Sequence, residues 1–108
     1  MAQDFERNTS NAVGTSAATL RTANSDDAIV GIMVANVATS QINVEVYIND
    51  GSNDIHLVKD APIPVGSSLQ VLDGGAKIVM QSGDALKVKS DTARSADVWV
   101  SVVDAIST

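Results

Sequence analysis

Residues 41–49, with the sequence QINVEVYIN, contain the clearest indication of the fold class of this chain. Positions 42, 44, 46 and 48 carry Ile, Val, Val and Ile, and the positions between them carry polar residues or tyrosine. Successive side chains of a β-strand point to opposite faces, so this alternation predicts a strand with one face in a core and the other in water. The same alternation recurs in residues 84–90 and 97–104 and predicts two more half-buried strands.

A nearly continuous apolar run, AIVGIMVANV, fills residues 28–37. Its short length, the presence of Gly31 and the turn-forming clusters that flank it favour a strand over a helix. Because apolar residues fall on both sides of such a strand, the run predicts a central strand that is buried on both faces.

The remaining strands are predicted from shorter apolar segments between turn-forming residues. Pro62 and Pro64 lack the N–H that a strand ladder needs, which places residues 61–66 at a sheet edge or in a crossover. Further strands are expected at residues 17–22, 55–59, 67–72 and 76–81, with a turn at 73–75 and with core candidates Leu69, Val71, Ile78 and Met80. Roughly seven or eight short strands without a helical pattern predict an all-β fold, a single antiparallel β-sandwich or jelly-roll-like domain.

The composition favours the same fold class. Val, Ile and Thr make up 30 of the 108 residues, against 5 Leu and 2 Glu, and β-branched side chains suit strands better than helices. Phe5, Tyr47 and Trp99 are the only aromatic residues, so small aliphatic side chains must fill the core. The absence of cysteine excludes disulfides and thiolate chemistry.

The charge distribution argues against nucleic acid and membranes as partners. The net charge is −6, and Lys87 and Lys89 are the only close pair of bases, on the outward side of one predicted strand. Binding to phosphates requires a concentrated basic face, which this chain lacks. No apolar stretch approaches the ~20 residues of a membrane span, and the sequence does not begin with the basic and apolar segments of a signal peptide.

The first 16 residues differ from the rest of the chain. They are rich in Asn, Ser and Thr, and Phe5 and Val13 are their only sizeable apolar residues. Such a segment buries too little surface to repay its ordering entropy, so we expect an extended N-terminal arm at residues 1–16 that a partner holds, followed by a β-sandwich domain at residues 17–108. The alternative is an arm that folds back on its own domain through Phe5.

Residues with catalytic or metal-binding chemistry are sparse. His56 is the only histidine, and the sequence contains neither a GxSxG elbow nor a phosphate-binding glycine loop. The loop at residues 49–54 offers oxygen ligands of the kind that Ca²⁺ takes, but its spacing fits a polar hairpin loop better, and Asp26 and Asp27 fit a turn. We therefore expect no enzymatic activity, no cofactor and no metal.

Aromatic and apolar side chains outside the core are the candidates for an interface. Trp99 alternates with Val98 and Val100 and should lie on the face opposite to them. If that face is outward, Trp99 is an interface anchor; the alternative is that Trp99 packs in the core. The candidate interface residues are Phe5, Val13, Tyr47 and Trp99.

A series of short motifs between residues 34 and 104 carries a family resemblance. These motifs are Val34-Ala35-Asn36 before INVEVYIND, then Pro64-Val65-Gly66, SLQVL, Lys77, GDALKVKS at residues 83–90, and DVWVSVVD at residues 97–104. In this order they resemble small β-sandwich virion proteins of tailed bacteriophages, especially those of marine and cyanophage-like phages. The resemblance spans roughly two-thirds of the chain. It implies a structural role in a virion, without catalytic residues.

Three functions remain open from the sequence. The leading one is a capsid decoration or cement protein that forms a homo-oligomer. It would bind the major capsid protein or another virion protein through its arm and its outer apolar residues. Such a protein would be located in the virion and assembled in the host cytoplasm. The second is a tail, neck or fibre component of the virion. The third is a soluble ligand-binding module, which should cluster aromatic residues on one face.

Overall fold

The computed structural model describes residues 4–72 and 77–106, and these form nine β-strands. The predicted turn at residues 73–75 lies outside the described part of the chain. The strands are β1 Asp4–Val13, β2 Ala18–Thr22, β3 Asp27–Asn36, β4 Ile42–Asn49, β5 Asp54–Ile63, β6 Ser68–Leu72, β7 Ile78–Met80, β8 Ala85–Ser90 and β9 Ala96–Asp104.

The strands form two antiparallel sheets that pack face to face. The larger sheet has five strands in the order β1-β9-β3-β6, with β7 also paired to β3, and the smaller sheet has the order β2-β8-β4-β5. This arrangement confirms the predicted all-β sandwich. No helix in the described ranges is long and apolar enough to cross a membrane.

The three strands predicted from alternation bury the expected side chains. In β4, Ile42, Val44 and Val46 are fully buried, and the residues between them are partly exposed. β8 and β9 follow the same pattern of alternating burial. The hydrophobic core lies between the inner faces of the two sheets and is made of aliphatic side chains, with Phe5, Tyr47 and Trp99 all outside it.

Strand β1 corrects the expectation of an arm that stands apart from the domain. It runs antiparallel to β9, from Asp4 opposite Asp104 to Val13 opposite Ala96, and forms an edge of the larger sheet. The polar composition of residues 1–16 indicates only that their side chains bury little apolar surface. A strand at a sheet edge is also held by the main-chain hydrogen bonds of its ladder, which do not require apolar side chains.

Strand β3 is covered on only one face. Ile32 and Val34 point into the core and are 1% and 0% exposed, whereas Met33 between them is 38% exposed. The prediction that both faces are buried is therefore wrong for the isolated chain. The apolar residues on the outer side of β3 lie at the surface of the larger sheet.

The prolines lie where the sequence predicted them. Pro62 belongs to β5, the edge strand of the smaller sheet, and Pro64 follows at the turn into β6. Asp60, two residues before Pro62, has a φ of 54°, and the pairing of β5 with β4 is irregular on either side of Val46. These irregularities are typical of an edge strand.

Asn36, the last residue of β3, joins the two sheets at one end of the sandwich. Its side-chain amide donates to the carbonyl oxygens of Ser40 and Ile63 at 2.9 Å each, and its Oδ1 accepts from the Ala38 amide at 2.8 Å. The residue is only 5% exposed. The buried amide therefore satisfies main-chain groups that the turn after β3 would otherwise leave without partners.

Candidate interaction surface

The outer face of the smaller sheet is polar and internally paired. Glu45 Oε1 lies 2.9 Å from His56 Nε2 and 3.4 Å from Lys59 Nζ, and the hydrogen bond from His56 holds the pKa of Glu45 below its usual value. Lys87 and Lys89 lie opposite Tyr47 and Glu45 on the same face, as the sequence predicted. This face resembles an ordinary solvated protein surface.

The outer face of the larger sheet is different, because large apolar side chains lie across it. Trp99 is 48% exposed and lies directly opposite Thr9 of β1 and Met33 of β3. Directly opposed residues of antiparallel strands place their side chains on the same face. Thr9, Trp99 and Met33 therefore form a row across the middle of the sheet.

A second row crosses the same face nearer to the end of β9. Phe5 lies opposite Val103, Val103 lies opposite Ala28, and Ala28 lies opposite Val79. Phe5 is 83% exposed and Val79 is 60% exposed, whereas the two residues between them are covered. We call the surface formed by Phe5, Met33, Val79 and Trp99 the apolar face.

Arg7 lies between the two rows and holds Trp99 in place. Its guanidinium carbon is 5.3 Å from the centroid of the Trp99 ring, a cation–π arrangement that is worth about 0.5–1 kcal/mol at an exposed site. Shallow grooves run on both sides of the ring, one lined by Thr9 and Asp97 and the other by Phe5, and Arg7 borders both. What this surface offers another molecule is a fixed aromatic ring between two grooves.

The predicted interface residues fall into three locations. Phe5 and Trp99 lie together on the apolar face, while Tyr47 lies on the outer face of the smaller sheet, with its ring 4.9 Å from that of His56. Val13 is 3% exposed and belongs to the core. Its assignment as an interface residue was wrong, because the end of β1 turns its side chain inward opposite Ala96.

Three members of the surface were missed from the sequence. The sequence predicts Met33 in a strand that is buried on both faces, Val79 in a short strand, and Arg7 in the N-terminal arm. A signal was present for Met33, because it alternates with Ile32 and Val34 as Trp99 does with Val98 and Val100. The position of Arg7 depends on the pairing of β1 with β9, which no local pattern indicates.

An ionic cluster beside the apolar face fixes β1 to both sheets. Arg21 of β2 donates from Nε to Asp27 Oδ2 at 2.7 Å, and from Nη1 to Glu6 Oε1 at 3.2 Å and Asn8 Oδ1 at 3.1 Å. Its Nη2 lies 3.3 Å from Asp104 Oδ1. Because β2 belongs to the smaller sheet and the other four residues belong to the larger one, the Arg21 guanidinium joins the sheets and tethers β1.

The pKa values of the two aspartates in this cluster, Asp27 and Asp104, are shifted in opposite directions. Burial alone would raise the pKa of Asp27, but hydrogen bonds from Arg21 and Asp104 outweigh it, so the pKa of Asp27 lies below its usual value. The hydrogen bond with Asp27, followed by burial, raises the pKa of Asp104.

Three carboxylates lie close together at the same end of β1. Glu6, Asp4 and Asp104 bring carboxylate oxygens within 4.8 Å of one another, and Arg21 already contacts Glu6 and Asp104.

The candidate calcium loop is a hairpin whose side chains bond their own backbone. Asp50 Oδ1 accepts from the amides of Ser52 and Asn53 at 3.0 and 2.8 Å. Asn49 Oδ1 accepts from the Gly51 amide at 2.9 Å, and its Nδ2 donates to Asp54 Oδ1 at 2.7 Å. This geometry matches the hairpin alternative, because the oxygen atoms offered as ligands are already used as turn acceptors.

Two solved structures align with this chain, and the one with a TM-score above 0.5 shares its fold. A Bacillus endospore appendage from a family of disulfide-linked pili aligns with a TM-score of 0.53 and 15% identity, over 98% of this chain and 88% of that one. A pentameric capsid protein from metagenomic phage sequences aligns with a TM-score of 0.49 and 19% identity, over 91% of this chain and 62% of that one. No protein-family model and no curated protein matches the sequence.

Proposed function

We propose that this chain is a non-enzymatic structural protein of a bacteriophage virion. Within the virion, it acts as a capsid decoration or cement protein that binds the head shell through the apolar face. The observation that carries the proposal is the exposure of Trp99, Met33 and Phe5 on one side of the sandwich, while the opposite side is polar. Large apolar side chains exposed together on one face of a small soluble domain are typical of a protein-binding site.

The apolar face has the dimensions of an interface. Four strands about 4.8 Å apart and about eight residues long, at about 3.3 Å per residue, present roughly 500 Å² in projection. A standard interface buries about 800 Å² on each partner, so this sheet face supplies more than half of it and the neighbouring loops could supply the rest. Trp99 near the middle of this surface has the residue type and the position of an anchor.

The family resemblance of residues 34–104 supports a virion protein, and the composition narrows the type of assembly. The appendage with the same fold is described as a disulfide-linked pilus. This chain contains no cysteine, so it cannot form such links, and its contacts must come from buried surface. The partner that we propose for this surface is the major capsid protein, bound without a cofactor.

Co-sedimentation with purified heads of the phage whose genome encodes the chain tests the proposal. The wild-type protein should sediment with the heads, and Met33→Glu should abolish sedimentation, because it places a charge in the middle of the apolar face. Ile55→Glu is the matched control, since Ile55 is an exposed apolar residue of the smaller sheet. It should bind as the wild type does.

Each other outcome of this experiment would contradict a part of the proposal. Sedimentation with tails or necks and not with heads would contradict the decoration role and favour a tail, neck or fibre component. Equal loss of binding in both variants would contradict the assignment of the apolar face. A protein that binds no virion part would favour a free ligand-binding module.

A further inference from the structure

The edge strands of the two sheets differ in how well they are protected against pairing with another chain. A free strand edge presents unpaired N–H and C=O groups, and proteins protect such edges with short strands, prolines and bulges. β2, β6 and β7 have five, five and three residues. β5 is long, but it contains Pro62, a left-handed Asp60 and an irregular register.

β1 lacks these three protections over most of its length, and charged side chains, which also protect edges, are confined to Asp4, Glu6 and Arg7 in its first half. It has ten residues, contains no proline or glycine, and keeps a regular register against β9 from Asp4 to Ser10 before the irregularity at Ala12. In the described part of the chain, the larger sheet ends at β1. This makes β1 the long, regular and open edge of the fold.

We propose that this edge is completed by β1 of a second copy of this chain, antiparallel and related by a two-fold axis that passes between the two copies of Asn8. The two larger sheets then form one continuous sheet. A two-fold axis perpendicular to that sheet keeps both apolar faces on the same side. Each residue of one β1 must then lie opposite a residue of the other β1 whose side chain points to the same face of the sheet. Only registers centred on a residue satisfy this condition.

The charges of β1 select among these registers. Centring on Glu6 or on Arg7 places two like charges directly opposite each other, and centring on Phe5 places Asp4 opposite Glu6 of the second copy. Centring on Asn8 places Arg7 opposite Thr9 and Glu6 opposite Ser10, so no like charges are opposed. It also keeps all five residues from Glu6 to Ser10 within the regular part of the strand.

Centring on Thr9 also avoids like charges, but it pairs Arg7 with Asn11, beyond the regular part of the strand. The Asn8 register therefore gives the longest regular ladder without repulsion. The pairing is independent of what the apolar face binds. It would place two apolar faces side by side and double the surface that one particle presents.

Two opposite substitutions of one exposed residue test this register. Thr9→Lys places like charges opposite Arg7 at both symmetry-related positions and should weaken dimerisation about fivefold, and Thr9→Glu should strengthen it by a similar factor. The double variant Arg7→Glu with Thr9→Lys restores the attraction and should dimerise at least as well as the wild type. Thr39→Lys, in the exposed connection between β3 and β4, is the control and should leave dimerisation unchanged.

Sedimentation equilibrium of each variant without phage particles measures its dimer dissociation constant, so the result does not depend on the proposed function. Amide hydrogen exchange provides a second readout, in which protection within residues 6–10 should rise with protein concentration. A wild-type protein that stays monomeric at the highest soluble concentration would overturn the proposal. So would a dimer that responds equally to Thr9→Lys and Thr9→Glu, because the strands would then meet in another register or not at all.

Discussion

Arg21 and Asp27 form a buried ion pair between the two sheets, with 2.7 Å between Nε and Oδ2 and with side-chain exposures of 9% and 0%. The same guanidinium contacts Glu6 and Asn8 of β1. The edge strand that carries Phe5 and Arg7 is thus held both by its ladder with β9 and by this cation. The apolar face therefore depends on an ionic contact in the adjoining corner of the sandwich.

Arg21→Met should destabilise the fold by about 3 kcal/mol. The substitution leaves the fully buried Asp27 carboxylate without its cation, and breaking a buried pair in this way typically costs about 3–5 kcal/mol. Urea unfolding followed by circular dichroism measures the change. Lys59→Met is the matched control, because it removes an exposed cation from Glu45 and should cost less than about 1 kcal/mol. Equal effects of the two substitutions would contradict the structural role of Arg21.

The free energy of unfolding should fall as the pH drops below about 4. The pKa of Asp27 is lower in the folded chain than in the unfolded one, so its stabilisation is complete above the unfolded value of about 3.9 and is lost as the pH falls through the folded value. Asp104 contributes with the opposite sign, because its pKa is raised. Glu45 adds to the loss in acid, since its pKa is also lowered.

Asp27→Asn provides the comparison for this pH dependence. It should lower the stability at neutral pH and reduce the loss between pH 5 and pH 2, as measured by urea unfolding at a series of pH values. A variant that loses as much stability in acid as the wild type would show that Asp27 does not contribute to the pH dependence.

Trp99→Ala and Val100→Ala should separate binding from folding. Trp99 points out of the sheet, so its removal should change the free energy of unfolding by less than about 1 kcal/mol while it abolishes binding to heads. Val100 is 0% exposed, and the loss of its two methyl groups should cost about 2 kcal/mol. Urea unfolding and co-sedimentation measure the two effects. A large destabilisation by Trp99→Ala would contradict the outward position of the ring and indicate that it packs in the hydrophobic core.

Calcium should not stabilise the hairpin at residues 49–54. The Asp50 carboxylate is already bonded to the amides of Asn53 and Ser52, which hold its pKa below the usual value. The melting temperature should therefore be the same in EDTA and in millimolar calcium chloride, whereas Asp50→Ala should lower it. A rise in calcium that disappears in Asp50→Ala would instead establish a cation site in the loop.

The sequence predicted the parts of the fold that depend on local alternation. The pattern in β4 identified the buried Ile42 and Val44, and the pattern in β9 placed Trp99 opposite Val98 and Val100, as the structure confirms. Both predictions follow from the two-residue period of a strand. For the candidate site, this reasoning separated Trp99 from Val98 and Val100 but left open whether its face is outward or in the core, and the 48% exposure of Trp99 shows that it is outward.

What depends on strand order was not predictable from local patterns. The Arg21 cluster joins the first three strands, β1, β2 and β3, to the distant β9, and it forms only because β2 lies in the other sheet from β1, β3 and β9. The position of β1 depends on main-chain pairing with β9, and its polar composition indicated a free arm instead. The error for Val13 has the same origin, because its burial follows from that pairing.

The most direct test of the account is hydroxyl-radical footprinting of the protein, free and bound to phage heads. We predict that oxidation of Trp99, Met33 and Phe5 falls several-fold on binding, while oxidation of Tyr47 on the opposite sheet stays the same. If Trp99 and Met33 are oxidised as fast on the particle as in free protein, the apolar face is not the surface that binds the head shell.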